Sequence, residues 1–497
     1  MQIKTLLAKI AHRSLTVLPF GVLLVLGGRA VLTGTYPMPF DESFHFGIIN
    51  FYAHHINPFF SSQPASTYSL GALSRDPSYL YQYLMSYPLR GLLALHVNMH
   101  TQIISLRFIN LALAGVTLFL VLRLSRSYRL PKIVGLLSCL ALAVTPVFDE
   151  LSSQINYDNL LIPLTLVTVL LVSRLSHEMQ TRQVHVRSIV SVVTVLALTS
   201  LVQYSYLPIL VASVVYLSFT LIRSHQFKEL RQSLLEDARK VSTLKKIAWS
   251  SLVIVSCGLW IQRYGINVIR FHTPHPQCNA VLSVQQCMSY APWARNYNLH
   301  AALNGHLAVF GAHYLVHFVH LWLGTMYKEL FGFIAVQSGH IVWTSDIFIY
   351  KMAEFVSLIV AICLITSGRG LHSFLKTWAL PLVISTAYLS ALWVQNFSDF
   401  HNLGELVAVQ GRYLLPILPF AYLASLQLIH SRWRSSWDSL LTNSKSQYVL
   451  PVGLSYSVRI RNQFTTSLWT IWRRLPRITI SSSNKLISLH VNYSSDQ

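Results

Sequence analysis

The chain has 497 residues, of which 53% are hydrophobic and only 11% charged, with a net charge of +21 and a mean hydropathy of +0.46. Soluble domains carry about 25% charged residues, so the composition excludes a string of ordinary soluble domains and points to a polytopic membrane protein. A basic excess of this size suits nucleic acid or an anionic membrane surface, and its distribution along the chain decides between them.

The chain opens on "MQIKTLLAKIAHRSLTVLPFGVLLVLGG", a basic start followed by a long apolar run. No small-x-small cleavage site closes the run, so it reads as a retained first span and not as a signal peptide. Apolar runs then predict spans near 14–36, 101–122, 131–148, 158–174, 187–202, 204–222, 247–264, 350–367, 376–394 and 412–430, about ten transmembrane helices in an all-α polytopic fold. With the N-terminus in the cytoplasm, the inner segments hold 28 of the 38 Lys and Arg residues, while the outer loops 37–100, 265–348 and 395–411 hold five. This positive-inside asymmetry assigns the charge to orientation and to contact with membrane lipid, with no nucleic acid as partner. It predicts a multi-pass plasma-membrane protein with both termini cytoplasmic. Residues 1–430 form the membrane domain, and the basic, Ser-rich stretch 431–497 is expected to be a weakly ordered cytoplasmic tail.

In the first outer loop, Phe44, Ile48, Phe51, Tyr52 and His55 recur at helical spacing, and 77–96 is a second apolar-aromatic stretch interrupted by Pro88. Both are predicted as helices lying in the membrane interface, with packing on the protein itself as the alternative. Residues 227–241 place Phe227, Leu230, Leu234, Ala238 and Val241 on one face, as in a helix on the cytoplasmic surface. Of the five cysteines, Cys139, Cys257 and Cys363 fall within spans as packing residues, while Cys278 and Cys287 share an outer loop and are expected to form a disulfide. The apolar stretch 306–327 predicts a membrane-dipping or surface helix, because a full crossing there would turn the basic tail outward. A matched second crossing near 331–348 would restore the orientation. Within it, His313, His317 and His320 stand at i, i+4 and i+7, but no carboxylate has the right offset, and no metal ligand is assigned to them.

Ten of the 17 acids fall on the outer side, and two groups of them hug membrane boundaries. Asp41 and Glu42 follow the first span. In "VTPVFDELSSQINYDNLLIP", Asp149 and Glu150 follow the third span and Asp158 begins the fourth. Each group has a plain explanation as a helix start, and Asn156 competes with Asp158 as a cap. Together the five fit an outward cavity that needs a general base or a cation site, leaving room for a divalent metal. In "VQGRYLLPILPF", Arg412 and Tyr413 mark the outer lip of the last span, where an arginine either grips a lipid phosphate or snorkels to the interface.

The acidic pair in the first outer loop, and the stretch "TPVFDELSSQINYDNLLIPLTLVTVLLV", resemble the membrane glycosyltransferases of the C-type fold, such as protein O-mannosyltransferases and lipid A aminoarabinose transferases. "RYGINVIRFHTPHPQC" and "GRYLLPILPF" are closer to a family of bacterial multi-pass, glycosyltransferase-like proteins. "LTSLVQYSYLPILV" is similar to the segment where many relatives carry a Lys, and here Gln203 stands in its place. The resemblance covers residues 14 to 430. It implies transfer of a sugar from a polyprenyl-phosphate donor to an envelope glycan or lipid on the extracytoplasmic face, with inversion. It makes Asp41 the general base, with Glu42 assisting it or binding the sugar, and sets Asp158, with Asp149 or Glu150, along the acceptor or metal side. Arg412, with Tyr413 beside it, would hold the donor phosphate. The rival classes are a transporter or flippase of a lipid-linked sugar, with charges at the midplane and inverted repeats, and a non-catalytic envelope-assembly protein.

Overall fold

Runs of leucine, valine and isoleucine without interior acids give this chain its long helices, and short polar or proline-bearing breaks end them. The computed structural model describes residues 2–224, 227–303, 312–337, 340–344, 347–366 and 370–446. The tail expected to be weakly ordered lies, from 447 onward, outside the described residues. The chain divides into two units, 1–434 and 435–497, and the first carries everything below.

The fold is an all-α membrane architecture, apart from a small antiparallel hairpin of Phe333–Gln337 with His340–Thr344. That hairpin occupies the region where a matched second crossing was an alternative. Among the described residues, Thr16–Thr33, Met99–Ser127, Asp158–Gln180, Tyr204–Ser224 and Thr243–Phe271 are long and apolar enough to span a bilayer. The number rises to seven if Lys132–Ala143 with Pro146–Ser152, and Leu371–Thr377 with Ala379–Leu403, each count as one bent span. Ten crossings are thus not confirmed among the described residues: Val186–Val202, where one was expected, is apolar but short, and Pro146 at the first turn of Pro146–Ser152 starts a new helix at a 70° bend within another.

One large core runs through the helices Met99–Ser127, Lys132–Ala143 and Asp158–Gln180, with Leu118, Leu142 and Leu166 fully buried. Both predicted helices of the first loop form, as Glu42–His54 and Leu80–Ala94. Their apolar faces turn onto the protein: Ile48, Phe51 and Tyr52 pack with Leu73, Tyr79, Leu201 and Tyr264. The packing alternative is thus the one realised for these side chains. Arg263, in a π-turn at Ile261–Gly265, is fully buried and staples this loop down. It donates to the carbonyls of Ser74 and Pro58 and lies over the rings of Phe59 and Tyr79.

Candidate active site

The site is built on a knot where the first span ends. Helix Gln2–Thr33 leaves its last carbonyls without intrahelical partners, and Arg107, from within helix Met99–Ser127, donates to the carbonyl of Gly34 at 2.7 Å and more distantly to those of Val31 and Thr35. The same guanidinium grips Glu42 in a fork, Nε to Oε1 at 2.8 Å and Nη2 to Oε2 at 2.6 Å. The Glu42 carboxylate also accepts the N–H groups of Met38 at 2.8 Å and Ile155 at 3.2 Å. Both side chains are out of water. Glu42 therefore ties three segments together, its carboxylate occupied by Arg107 and two backbone amides.

Phe40 and Asp41, one step earlier, both hold left-handed backbone, φ 61° and 67°. Non-glycine residues adopt this at a cost, and the surroundings impose it here. The Phe40 carbonyl is held from two sides at 3.0 Å, by Asn156 Nδ2 and by Arg412 Nη1. The two left-handed residues turn the Asp41 side chain outward while Glu42 starts its helix inward. Asp41 is 58% exposed and its Oδ2 accepts from Arg412 Nη2 at 2.8 Å, whereas Arg412 is buried. Burial raises the Asp41 carboxyl pKa, but the charge and hydrogen bond of Arg412, with His45 and Arg295, more than offset this and hold it below the ordinary value of 3.8.

Arg412 sits in a 3-10 turn, Gly411–Leu414, pressed against helix Ala312–Phe331. A side chain on Gly411 would overlap the backbone of Glu329 and Leu330, so only glycine lets the turn approach this closely. Glu329 accepts the Gly411 N–H at 2.9 Å, and burial pushes its carboxyl up to about 7 against that bond and the Arg412 charge. Burial works against the Arg412 cation, while Tyr413, Tyr157, Asp158 and Asp41 favour it and win, so its pKa is raised. Its guanidinium also lies over the rings of Phe40 and Tyr413, at 5.2 and 5.3 Å.

Asp158 begins helix Asp158–Gln180, but it does not cap it. Asn156 takes that part, its Oδ1 accepting the Asp158 N–H at 2.9 Å. The Asp158 carboxylate is buried within electrostatic reach of Arg412 and Asp41, and its Oδ2 has no hydrogen-bond partner. Asp41, Asp158 and the neighbours Arg412 and Tyr413 are thus brought together from three distant places in the sequence. Asp149 is not among them. It lies on the short helix Pro146–Ser152 with its carboxylate toward Gly27 of the first helix, and burial alone perturbs it. Glu150 shares that helix, its backbone carbonyl accepting from the Ser153 hydroxyl at 2.8 Å and from Gln154 Nε2 at 3.1 Å.

Several site residues escaped the sequence reading. His45 lies one turn past Asp41, is buried edge-on against Tyr157 at 4.9 Å, and has an unpartnered Nε2. Burial pushes it down to about 3, with Asp41 opposing and Arg412 reinforcing, so it is neutral at pH 7. The i, i+4 spacing to Asp41 was the available signal. Tyr290 and Arg295 follow the disulfide Cys278–Cys287, at the start of helix Ala291–Ala302. Tyr290 stacks on Phe44 at 5.8 Å, and the exposed Arg295 hydrogen-bonds only its neighbour Asn296 among the described residues while reaching Asp41 and Asp399 electrostatically. Gln203 is a joint: its Oε1 accepts from the Ser78 hydroxyl at 2.7 Å and the Tyr204 N–H at 2.9 Å. Among the described residues no three His, Cys, Asp or Glu side chains converge to hold a metal ion, and no step is derived through one.

No curated protein and no solved structure matches the chain. Residues 84–234 match the family model described as dolichyl-phosphate-mannose-protein mannosyltransferase, a stretch that includes Asp149, Glu150, Asp158 and Gln203 and stops short of Asp41 and Arg412. Over that segment the chain is similar to a mannosyltransferase family of the C-type fold, and its apolar helices make it an integral membrane protein.

Proposed function

We propose that the protein transfers a sugar from a polyprenyl-phosphate donor to an envelope glycan or lipid acceptor, on the extracytoplasmic face of the plasma membrane and with inversion at the anomeric carbon. The observation that carries this reading is Asp41: an ionised, half-exposed carboxylate fixed by a buried arginine at the lip of the first span. The acceptor hydroxyl oxygen attacks the anomeric carbon, the bond from that carbon to the phosphate oxygen breaks, and polyprenyl phosphate leaves with the electron pair. The hydroxyl proton passes to Asp41. The leaving group is already stabilised as an anion, so positioning and one base suffice. Arg412 keeps Asp41 ionised and oriented. Its Nε has no partner, so Arg412 still has an N–H for the donor phosphate, with the exposed guanidinium of Arg295 also acting on Asp41. Asp158, with its open oxygen, orients the acceptor.

Reconstituted protein given a panel of labelled polyprenyl-phosphate sugars and envelope extract is expected to form a glycosidic bond of inverted configuration with at least one donor. Movement of labelled lipid across the bilayer with no new bond would replace this reading by that of a flippase.

The Asp41–Arg412 pair also sets a pH dependence. The carboxyl pKa is lowered in the folded protein, so the pair's stabilisation is present above 3.8 and disappears as the pH falls through the lowered value. In Arg412→Gln burial acts on Asp41 without its opposing charge. The acid limb of the rate profile is then expected to move to higher pH, and an unmoved limb would separate Arg412 from the titration of the base.

A further inference from the structure

The end of the bundle away from Asp41 carries a second feature. Helix Asp158–Gln180 leaves the site and ends 23 residues later, a rise of roughly 34 Å, beside the start of helix Val186–Val202. The amphipathic helix Phe227–Lys240 docks there through polar contacts. Asp237 pairs with His185 Nδ1 at 3.1 Å and accepts the Val186 N–H at 2.9 Å, and Arg182 meets Glu229 at 3.0 Å. Of its apolar stripe, Leu230 and Leu234 pack on the core, and Phe227 is exposed. Ala238 and Val241 instead line a groove of about 390 Å³ between this helix, Val186–Val202 and Thr243–Trp260.

We propose that this groove binds an anionic phospholipid of the leaflet opposite the Asp41 site, with an acyl chain along Val190, Val241 and Val253 and the headgroup phosphate on Lys246. Lys246 is the one charged side chain in the wall, and the Ser250 hydroxyl and Trp249 indole N–H are the other polar side-chain groups there, too few to satisfy a peptide backbone. The groove borders helix Thr243–Trp260, whose Leu244, Ile247 and Ile254 are exposed as lipid-facing residues are. Trp249 in the wall is a residue type favoured at the headgroup level. Lys240 and Lys245 are exposed beside Lys246, while of the acids on Phe227–Lys240 Glu229 and Asp237 are spent on Arg182 and His185, leaving Glu236, which accepts from Gln232, against Lys240, Lys245 and Lys246. The local field therefore selects an anionic headgroup over a zwitterionic one. This lipid would close the space between the surface helix and the bundle, and its binding is independent of the transferase reading.

Native mass spectrometry of the detergent-purified full chain, titrated with phosphatidylglycerol or with phosphatidylcholine of the same acyl chains, tests the proposal. Preferential retention of phosphatidylglycerol is expected, weakened about fivefold by Lys246→Ala. Val190→Trp or Val253→Trp, from facing walls, should block the groove and abolish retention, while Lys228→Ala outside it should change nothing. Equal retention of the two headgroups, or insensitivity to Lys246→Ala, would overturn it, as would full retention in both tryptophan variants.

Discussion

Asp41→Asn is expected to lower turnover by roughly two to four powers of ten, the range of a lost general base, while the protein inserts and melts as the wild type does. The substitution is nearly isosteric. An asparagine oxygen still accepts from Arg412 Nη2, and the Phe40 carbonyl still accepts from Nη1, so the turn that presents the side chain is retained. What disappears is a proton acceptor. The Asp41 carboxylate is 58% exposed, so its pairing with Arg412 is partly screened and its loss weighs little on stability. Donor binding, read from KM or from competition by an unreactive polyprenyl phosphate, should change much less than kcat, since phosphate recognition rests on other residues. The assay is single-turnover transfer from the donor that the panel identifies, with the melting temperature in detergent as the control. Wild-type turnover in this variant would remove Asp41 from the chemistry and leave the neutral His45, with its unpartnered Nε2, as the remaining nearby base.

The sequence made part of this site legible for a physical reason. Acids and arginines at membrane boundaries are costly, so Asp41, Asp158 and Arg412 stood out, and the structure brings them within reach of one another. Adjacency hid the rest. Asp41 and Glu42 are neighbours, but two left-handed residues send one outward and the other inward, and nothing in "PFDES" announces a left-handed phenylalanine. Asp149 and Glu150 lie at the expected depth, yet the bend at Pro146 aims Asp149 toward Gly27. Tyr290 and Arg295 reach the site through tertiary packing of the distant segment that follows the disulfide, which no local pattern encodes. Arg107 was readable: a guanidinium within an apolar span requires a buried partner, and Asp41 and Glu42 are the first acids after the first span.

That pairing leads to the second large effect, on folding. Arg107→Ala should destabilise the protein by about 3–5 kcal/mol, because it leaves the Glu42 charge buried without its partner. The carbonyl of Gly34, at the end of the first helix, loses its donor as well. Glu42→Gln should cost less, since Arg107 keeps the Gly34 carbonyl as an acceptor and the glutamine oxygen still accepts from one of Met38 and Ile155, which bond different carboxylate oxygens. Combining Glu42→Gln with Arg107→Met should cost less than the sum of the single changes, by roughly 1–3 kcal/mol, the signature of two groups that neutralise each other. Melting temperatures of the four proteins in one detergent give the cycle. Activity separates the structural role from a catalytic one: below its melting temperature, Glu42→Gln should retain turnover to within about tenfold, because only the positioning of Asp41 is disturbed. If Glu42→Gln instead abolished turnover at an unchanged melting temperature, Glu42 would have to act on substrate, and the knot at the end of the first span would open during the reaction cycle. The geometry argues against that. Opening it would strand a buried guanidinium and release the two backbone amides that fix Asp41 in its left-handed turn, so the enzyme would lose its base at the moment it gained a second carboxylate.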